Sequence, residues 1–80
     1  MGLLIGDAND VTYPSCYAVN TSDTTNIPHD GTMVTFVSLD SENFRCITQV
    51  VFHFYRGVHF RDKWMGSDFN SWRHISYIGG

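Results

Sequence analysis

The sequence predicts an all-β fold, a small antiparallel β-domain, from three observations. The chain has 80 residues, which allows one domain, and we expect residues 1–80 to form it. Segments rich in β-branched and aromatic residues are separated by short polar segments with Gly, Pro, Asn or Asp. No long segment repeats its apolar residues with the period of a helix.

The N-terminal part contains one turn, one short strand and one loop. Residues 6–15, GDANDVTYPS, mix Gly, Asp, Asn and Pro, which predicts a turn or a single helical turn. Residues 16–19, CYAV, are predicted as a short strand. Residues 20–31, NTSDTTNIPHDG, are polar and include a DG turn signal, so we expect a loop.

The middle of the chain carries the strongest strand patterns. Residues 32–39, TMVTFVSL, and residues 44–55, FRCITQVVFHFY, are rich in β-branched and aromatic residues, and a turn at 40–43 separates them. Side chains alternate between the two faces of a strand. The alternation places on one face Ile47, Gln49, Val51, His53 and Tyr55. It places on the other Thr48, Val50, Phe52 and Phe54.

The C-terminal part predicts a hairpin and a final strand. Residues 56–57, RG, form a tight turn, and residues 58–63, VHFRDK, return as the second arm. Residues 65–70, MGSDFN, are a loop, and residues 71–78, SWRHISYI, are the last strand.

Composition favours self-association and argues against nucleic acid. Aromatic residues make up a high share, 15%, and charged residues a low share, 16%. This indicates that part of the surface is covered by another chain. All six charged residues of 1–44 are acidic, whereas 45–80 hold five Lys or Arg and two Asp. A general nucleic-acid binder has a larger basic footprint, but this asymmetry leaves room for a small anionic partner at the C-terminal half.

Several chemistries lack their residue patterns. The histidines and cysteines show no C-x-x-C or H-x-x-x-H spacing, so we expect no metal or other cofactor, and His53 and His59 are expected to face each other across the hairpin. Ser67, Ser71 and Cys46 stand in no nucleophile motif, and the chain has no Gly-rich phosphate loop, so we expect no enzyme activity.

The two cysteines and the apolar segments bear on the compartment. Cys16 and Cys46 allow one disulfide, but two buried, reduced thiols are the more common arrangement and the one we expect. No apolar run approaches the ~20 residues that span a bilayer, so we expect no membrane insertion. The first ten residues lack the basic region of a signal peptide.

The C-terminal half resembles a small module of bacteriophage tail fibres, tailspikes and R-type pyocin fibres. In that module an x-Q-x strand is followed by a V-Y-x-R strand and a closing W-x-x-W-R/K-x-L/I motif. The matching segments here are Thr48-Gln49-Val50, Val58-His59-Phe60-Arg61 and Phe69-Asn70-Ser71-Trp72-Arg73-His74-Ile75, with Phe69 where the module usually has Trp.

The N-terminal half matches the same module. Its opening phrase, D-L-N-D-I-T-T-P-G-F-Y-x-V, corresponds to GDANDVTYPSCYAV from Gly6 to Val19. A polar loop with N-I-P at Asn26–Pro28 and a V-x-F/V strand follow in the expected order. The resemblance covers residues 6–77.

The resemblance implies a structural part of a phage tail. Such a chain is expected to be one module of a longer polypeptide in the virion, packed or intertwined as a trimeric β-prism or knob. An 80-residue chain with aromatic strand faces needs covering, so residue chemistry and resemblance both predict a homotrimer. The function expected first is therefore a trimerising module that supports attachment to the host surface.

The aromatic and basic stretch 58–75 allows two interpretations. In the first it is a structural clasp, in which Phe69 and Trp72 cover one end of the sheet and Arg61 and Arg73 lie over their rings. In the second it binds an acidic host capsule polysaccharide, as the stalks of some capsule-degrading tailspikes such as endosialidases do. The expected contacts around the hairpin tip are then Arg56, His59, Arg61, Lys63 and Trp64.

Overall fold

The computed structural model describes residues 2–41, 44–64 and 66–75, and it confirms the all-β fold class. Eight strands and one 3₁₀ turn, Ala8–Asp10, are present in these ranges. The strands are β1 (Gly2–Leu3), β2 (Gly6–Asp7), β3 (Ser15–Val19), β4 (Thr24–Thr25), β5 (Gly31–Ser41), β6 (Phe44–His53), β7 (Gly57–Trp64) and β8 (Arg73–Ile75).

Most of the domain is one six-stranded sheet in the order β1-β3-β5-β6-β7-β8. All neighbours in it are antiparallel except β1, which runs parallel to β3. β2 and β4 form a separate parallel pair. The predicted antiparallel domain is therefore correct for the main sheet, and the parallel pairs are additions to it.

The long β5–β6 hairpin forms the centre of the sheet. Its β-branched residues suit a half-buried pleated surface, and Thr35 lies opposite Gln49 in the register. A register shift interrupts the pairing between Leu39 and Ser41. The predicted turn at 40–43 is wrong at its first two positions, since β5 continues to Ser41, and residues 42 and 43 lie outside the described residues.

The second hairpin turns earlier than predicted. β6 ends at His53, and the turn comprises residues 54–56 instead of 56–57. Gly57 opens β7 with a φ of 80°, a left-handed conformation that glycine adopts without a steric cost. A Cβ atom at Gly57 would lie 3.0 Å from Nε2 of His74, so the neighbouring strand also favours glycine here.

The N-terminal segment folds as predicted around a single helical turn. Asp7 caps this turn, because its Oδ1 accepts a hydrogen bond from the backbone N of Asn9 at 2.8 Å. The backbone N of Val11 donates to the Ala8 carbonyl at 3.2 Å. The strands β1, β2 and β4 were not predicted, because two residues carry no periodicity.

The core lies between this N-terminal segment and one face of the main sheet, here called the inner face. Its buried cluster consists of Ala8, Val11, Val19, Met33 and Val51. Partly buried residues that pack against it are Leu4, Tyr17, Ile27 and Trp72.

The final strand is shorter than predicted at its start. β8 begins at Arg73 rather than at residue 71, and residues 76–78 lie outside the described residues. Across the ranges that the structure describes, no helix has the length and apolarity needed to cross a membrane.

Candidate functional site

The two faces of the main sheet differ in how well they are covered. On the inner face, Ile47, Gln49 and Val51 of β6 are fully buried, which confirms the predicted alternation of that strand. On the opposite face, here called the outer face, Phe52 is 42% exposed and Trp64 is 50% exposed. The N-terminal segment therefore covers only one side of the sheet.

The outer face is broad and apolar. Register pairing aligns Cys46 with Trp64, Val50 with Phe60, and Phe52 with Val58, so these side chains share that face. Its apolar members across five strands are Cys16, Ala18, Val34, Phe36, Cys46, Val50, Phe52, Val58, Phe60, Trp64 and Ile75. Large apolar patches of this kind mark interaction surfaces in soluble proteins.

Two charged residues of the outer face, among the side chains that the structure describes, pair with each other. Asp62 lies opposite Thr48, and Arg73 lies opposite Phe60, which places both on this face. Arg73 Nη2 is 3.4 Å from Asp62 Oδ1, and its guanidinium carbon is 5.0 Å from the centroid of the Phe60 ring. The predicted position of Arg73 over the clasp rings is therefore wrong, because β8 turns its side chain to the outer face.

The inner face holds a buried polar group, the Gln49–Arg61 pair. Gln49 Nε2 donates to the carbonyl oxygens of Ala8 at 2.8 Å and Val11 at 3.1 Å. Gln49 Oε1 accepts a hydrogen bond from Arg61 Nε at 2.9 Å. One side chain thus satisfies two carbonyls of the 3₁₀ turn and one donor of β7, which ties the N-terminal segment to the sheet.

Two aromatic rings complete the group around Arg61. Its guanidinium carbon lies 3.9 Å from the centroid of the Phe69 ring and 4.5 Å from that of Trp72. Trp72 Nε1 donates to the backbone oxygen of Asn26 at 3.1 Å, so the ring also connects the loop after β4 to the segment just before β8. We call Gln49, Arg61, Phe69 and Trp72 the clasp.

Burial changes the acidity of the clasp arginine. Desolvation lowers the pKa of Arg61 to about 10, and the nearby carboxylate of Asp7 opposes part of this change. Arg61 is 5% exposed and remains a cation at neutral pH. Arg61 does not lie at the hairpin tip, where it was expected, since its side chain lies inside the clasp.

The remaining predicted glycan contacts do not share one surface. Arg56 is exposed at the turn between β6 and β7. His59 and Lys63 project to the inner face, on either side of Arg61 along β7. Trp64 projects to the outer face beside Cys46. The sheet therefore separates Trp64 from the basic residues that it was expected to assist.

Histidines from four segments form a cluster that the sequence did not reveal. The ring centroid of His53 on β6 lies 5.8 Å from that of His29. The ring centroids of His29 and His59 are 4.7 Å apart, and those of His59 and His74 are 4.3 Å apart. His59 lies opposite Val51 and His53 opposite Gly57, so the predicted facing of His53 and His59 is wrong. The signal was missed because His29 comes from the loop before β5, where strand alternation gives no orientation.

Hydrogen bonding determines the tautomers of the two central rings. His29 Nδ1 is 2.6 Å from the backbone oxygen of Asp30, which only accepts, so His29 carries its proton on Nδ1. His29 Nε2 is 2.9 Å from His59 Nδ1 and in the neutral pair accepts from it. The hydrogen bond tolerates one positive charge on the pair but not two, because both facing nitrogens would be donors if both rings were protonated.

We expect this pair to make the domain sensitive to mild acid. Burial, followed by the charges of His29 and His74, lowers the pKa of His59. The folded state then binds a proton less readily than the unfolded chain, so stability is complete above pH ~6.5 and is lost as the pH falls through the lower folded pKa. The melting temperature, measured at a series of pH values from 8 to 5, should start to decrease once the pH is below ~6.5.

The His59→Asn variant should lose that part of the pH dependence. His53→Asn is the comparison variant: it removes the ring contact of His53 with His29, at 5.8 Å between centroids, but leaves the His29–His59 hydrogen bond in place. Equal pH profiles for His59→Asn and the wild type would show that other groups cause the loss.

The two cysteines are not joined by a disulfide. Cys16 is opposite Val34 and Cys46 is opposite Ser38, so β5 lies between them and they are offset along it. Two strand spacings amount to about 10 Å, beyond the reach of a disulfide. Cys16 is exposed, so the expectation that both thiols are buried is wrong.

Comparison of the chain with protein-family models, with curated proteins and with solved structures finds no match.

Proposed function

We propose that the chain is a trimerising structural module of a phage tail fibre or tailspike, which supports attachment of the virion to its host. The observation that carries this proposal is the apolar outer face, on which Phe36 is 54% and Phe52 42% exposed. The order of motifs, which resembles that of tail-fibre modules, is the reason for proposing a fibre protein. The occupant proposed for the outer face is the same face of two further copies.

The size and charge of the outer face bear on such an assembly. Five strands at about 4.8 Å give a face roughly 24 Å wide, and the four outward residues on each of β5, β6 and β7 make its centre roughly 20 Å long. This flat area of roughly 480 Å² is smaller than the ~800 Å² that each partner contributes to a standard interface, and projecting side chains such as Phe36 and Phe52 add to the area that can be buried. Asp62 and Arg73 pair with each other, so identical copies can meet without charge repulsion.

Sedimentation tests the assembly. The purified chain should have about three times its mass of 9.1 kDa. Phe52→Asp should shift it to a folded monomer, because a carboxylate in the centre of the interface loses its hydration. Phe54→Asp, which changes a 76% exposed turn residue, should leave the trimer intact. A wild-type monomer or dimer with a cooperative melt would disprove trimerisation.

A second proposed function is weak binding of an acidic polysaccharide. In the part of the chain that the structure describes, the one ion pair is Asp62–Arg73. Arg56, Arg61 and Lys63 therefore keep positive charge that no contacting carboxylate compensates within that part. Three copies in a trimer would strengthen weak individual contacts through multivalency.

A further inference from the structure

A small hollow beside the clasp collects polar groups and two cations. Its volume is about 260 Å³, and it lies on the inner-face side of β7. The residues that line it are Asn9, Asn26, Arg61, Lys63, Asp68 and Phe69.

Arg61 lines this hollow and also has an unsatisfied donor. Its Nε is bonded to Gln49, but its Nη2 is buried without a hydrogen-bond partner. Burial without a contacting carboxylate also explains the lowered pKa of Arg61, since Asp7 acts on it only through its charge. A guanidinium ordinarily meets a carboxylate or phosphate through several parallel hydrogen bonds.

Lys63 adds a second positive charge next to the first. Its Nζ lies 4.8 Å from the centroid of the Phe69 ring, on which Arg61 also packs at 3.9 Å. The two cations therefore flank a single ring. Asp68, the one carboxylate in the lining, is exposed, so water screens its charge more than that of buried Arg61.

We propose that this hollow binds the carboxylate group of a small organic acid, held between Arg61 and Lys63. Asn26 donates its amide to Asp7 at 2.8 Å, and Asn9 is a second asparagine in the lining. The site makes the proposed polysaccharide binding more specific, and only the identity of its natural ligand rests on that proposed function. The site lies within one chain, so it does not depend on trimerisation.

Titration of the full chain by NMR tests the site. Sodium acetate and sodium glucuronate are added at constant ionic strength, and acetamide and glucose serve as their neutral counterparts. The acids should shift the amide signals of Lys63 and Phe69 with a Kd on the order of millimolar, and the neutral compounds should not. Acetate reports the bare carboxylate, and tighter binding of glucuronate would show that sugar hydroxyls contribute.

Two variants alter the charge without entering the clasp. Lys63→Met keeps the length of the side chain and should weaken acid binding roughly tenfold, whereas Asp68→Asn should strengthen it about two- to threefold. Arg56→Met removes a cation outside the hollow and should leave binding unchanged.

Two results would overturn the proposal. One is equal binding of acids and neutral compounds. The other is equal weakening by Lys63→Met and Arg56→Met, which would indicate general charge attraction. A titration with a polymer of glucuronate-containing repeats distinguishes failure of the carboxylate site from failure of the proposed polysaccharide binding. Binding of small acids without the polymer supports the hollow and contradicts polysaccharide binding, whereas binding of the polymer alone contradicts the hollow.

Discussion

Gln49→Met should lower the free energy of unfolding by roughly 3–5 kcal/mol, the largest effect expected from one substitution in this domain. Methionine fits the volume but leaves the carbonyl of Val11 and the Nε of Arg61 without these partners, and leaves the carbonyl of Ala8 with the backbone N of Val11 alone. These groups are buried, so water cannot replace the lost hydrogen bonds without opening the core. A domain of this size has about 4–12 kcal/mol in total.

Urea unfolding at one fixed chain concentration measures this loss, because the stability of an oligomer depends on concentration. Thr48→Val is the matched control, since Thr48 directly precedes Gln49 in β6 and projects to the outer face. It should change stability by less than about 1 kcal/mol. A loss for Gln49→Met no larger than this control would show that the polar group does not hold the N-terminal segment.

Trp72→Ala should cost about 3 kcal/mol, the lower end of the range for removing a large aromatic ring, because Trp72 is partly buried. The ring packs on the core cluster, lies 4.5 Å from the guanidinium carbon of Arg61 and donates to the oxygen of Asn26. Its removal therefore loses apolar contact, a cation–π contact and the tie to the loop after β4.

Trp72→Phe separates these contributions, because it keeps most of the apolar contact and loses the indole donor. Its melting temperature should lie between those of the wild type and Trp72→Ala. Phe54→Ala, at a 76% exposed turn position, is the control for loss of an aromatic ring and should unfold like the wild type. If Trp72→Ala also unfolds like the wild type, Trp72 is a surface residue in solution.

Strand periodicity predicted the fold class and the inner face of β6. The alternation predicted for residues 44–55 is correct for Ile47, Gln49 and Val51, which share one buried face, but it extended past the end of β6 at His53. The short strands β1, β2 and β4 escaped prediction. Each has two residues, and distant segments pair with it.

The candidate sites were less predictable than the sheet. The sequence indicated that Phe69, Trp72 and two arginines lie together, but register decides that Arg61 enters the clasp and Arg73 leaves for the outer face. Proximity in the chain also grouped Trp64 with Lys63, although neighbouring residues of a strand point to opposite sides. The histidine cluster required the position of a loop, which local patterns do not specify.

The long-range bonds of the clasp have a consequence for synthesis of the chain. The carbonyls of Ala8 and Val11 are satisfied by a residue 41 and 38 positions later, and Asn26 is reached by Trp72 after 46 more residues. A ribosome adding about 5–20 residues per second needs roughly 3–13 s to make the segment from the first of these residues to the last. Until residue 72 has been made, the clasp cannot close the N-terminal segment onto the sheet, so this domain can complete its fold only after the segment with Trp72 has been synthesised.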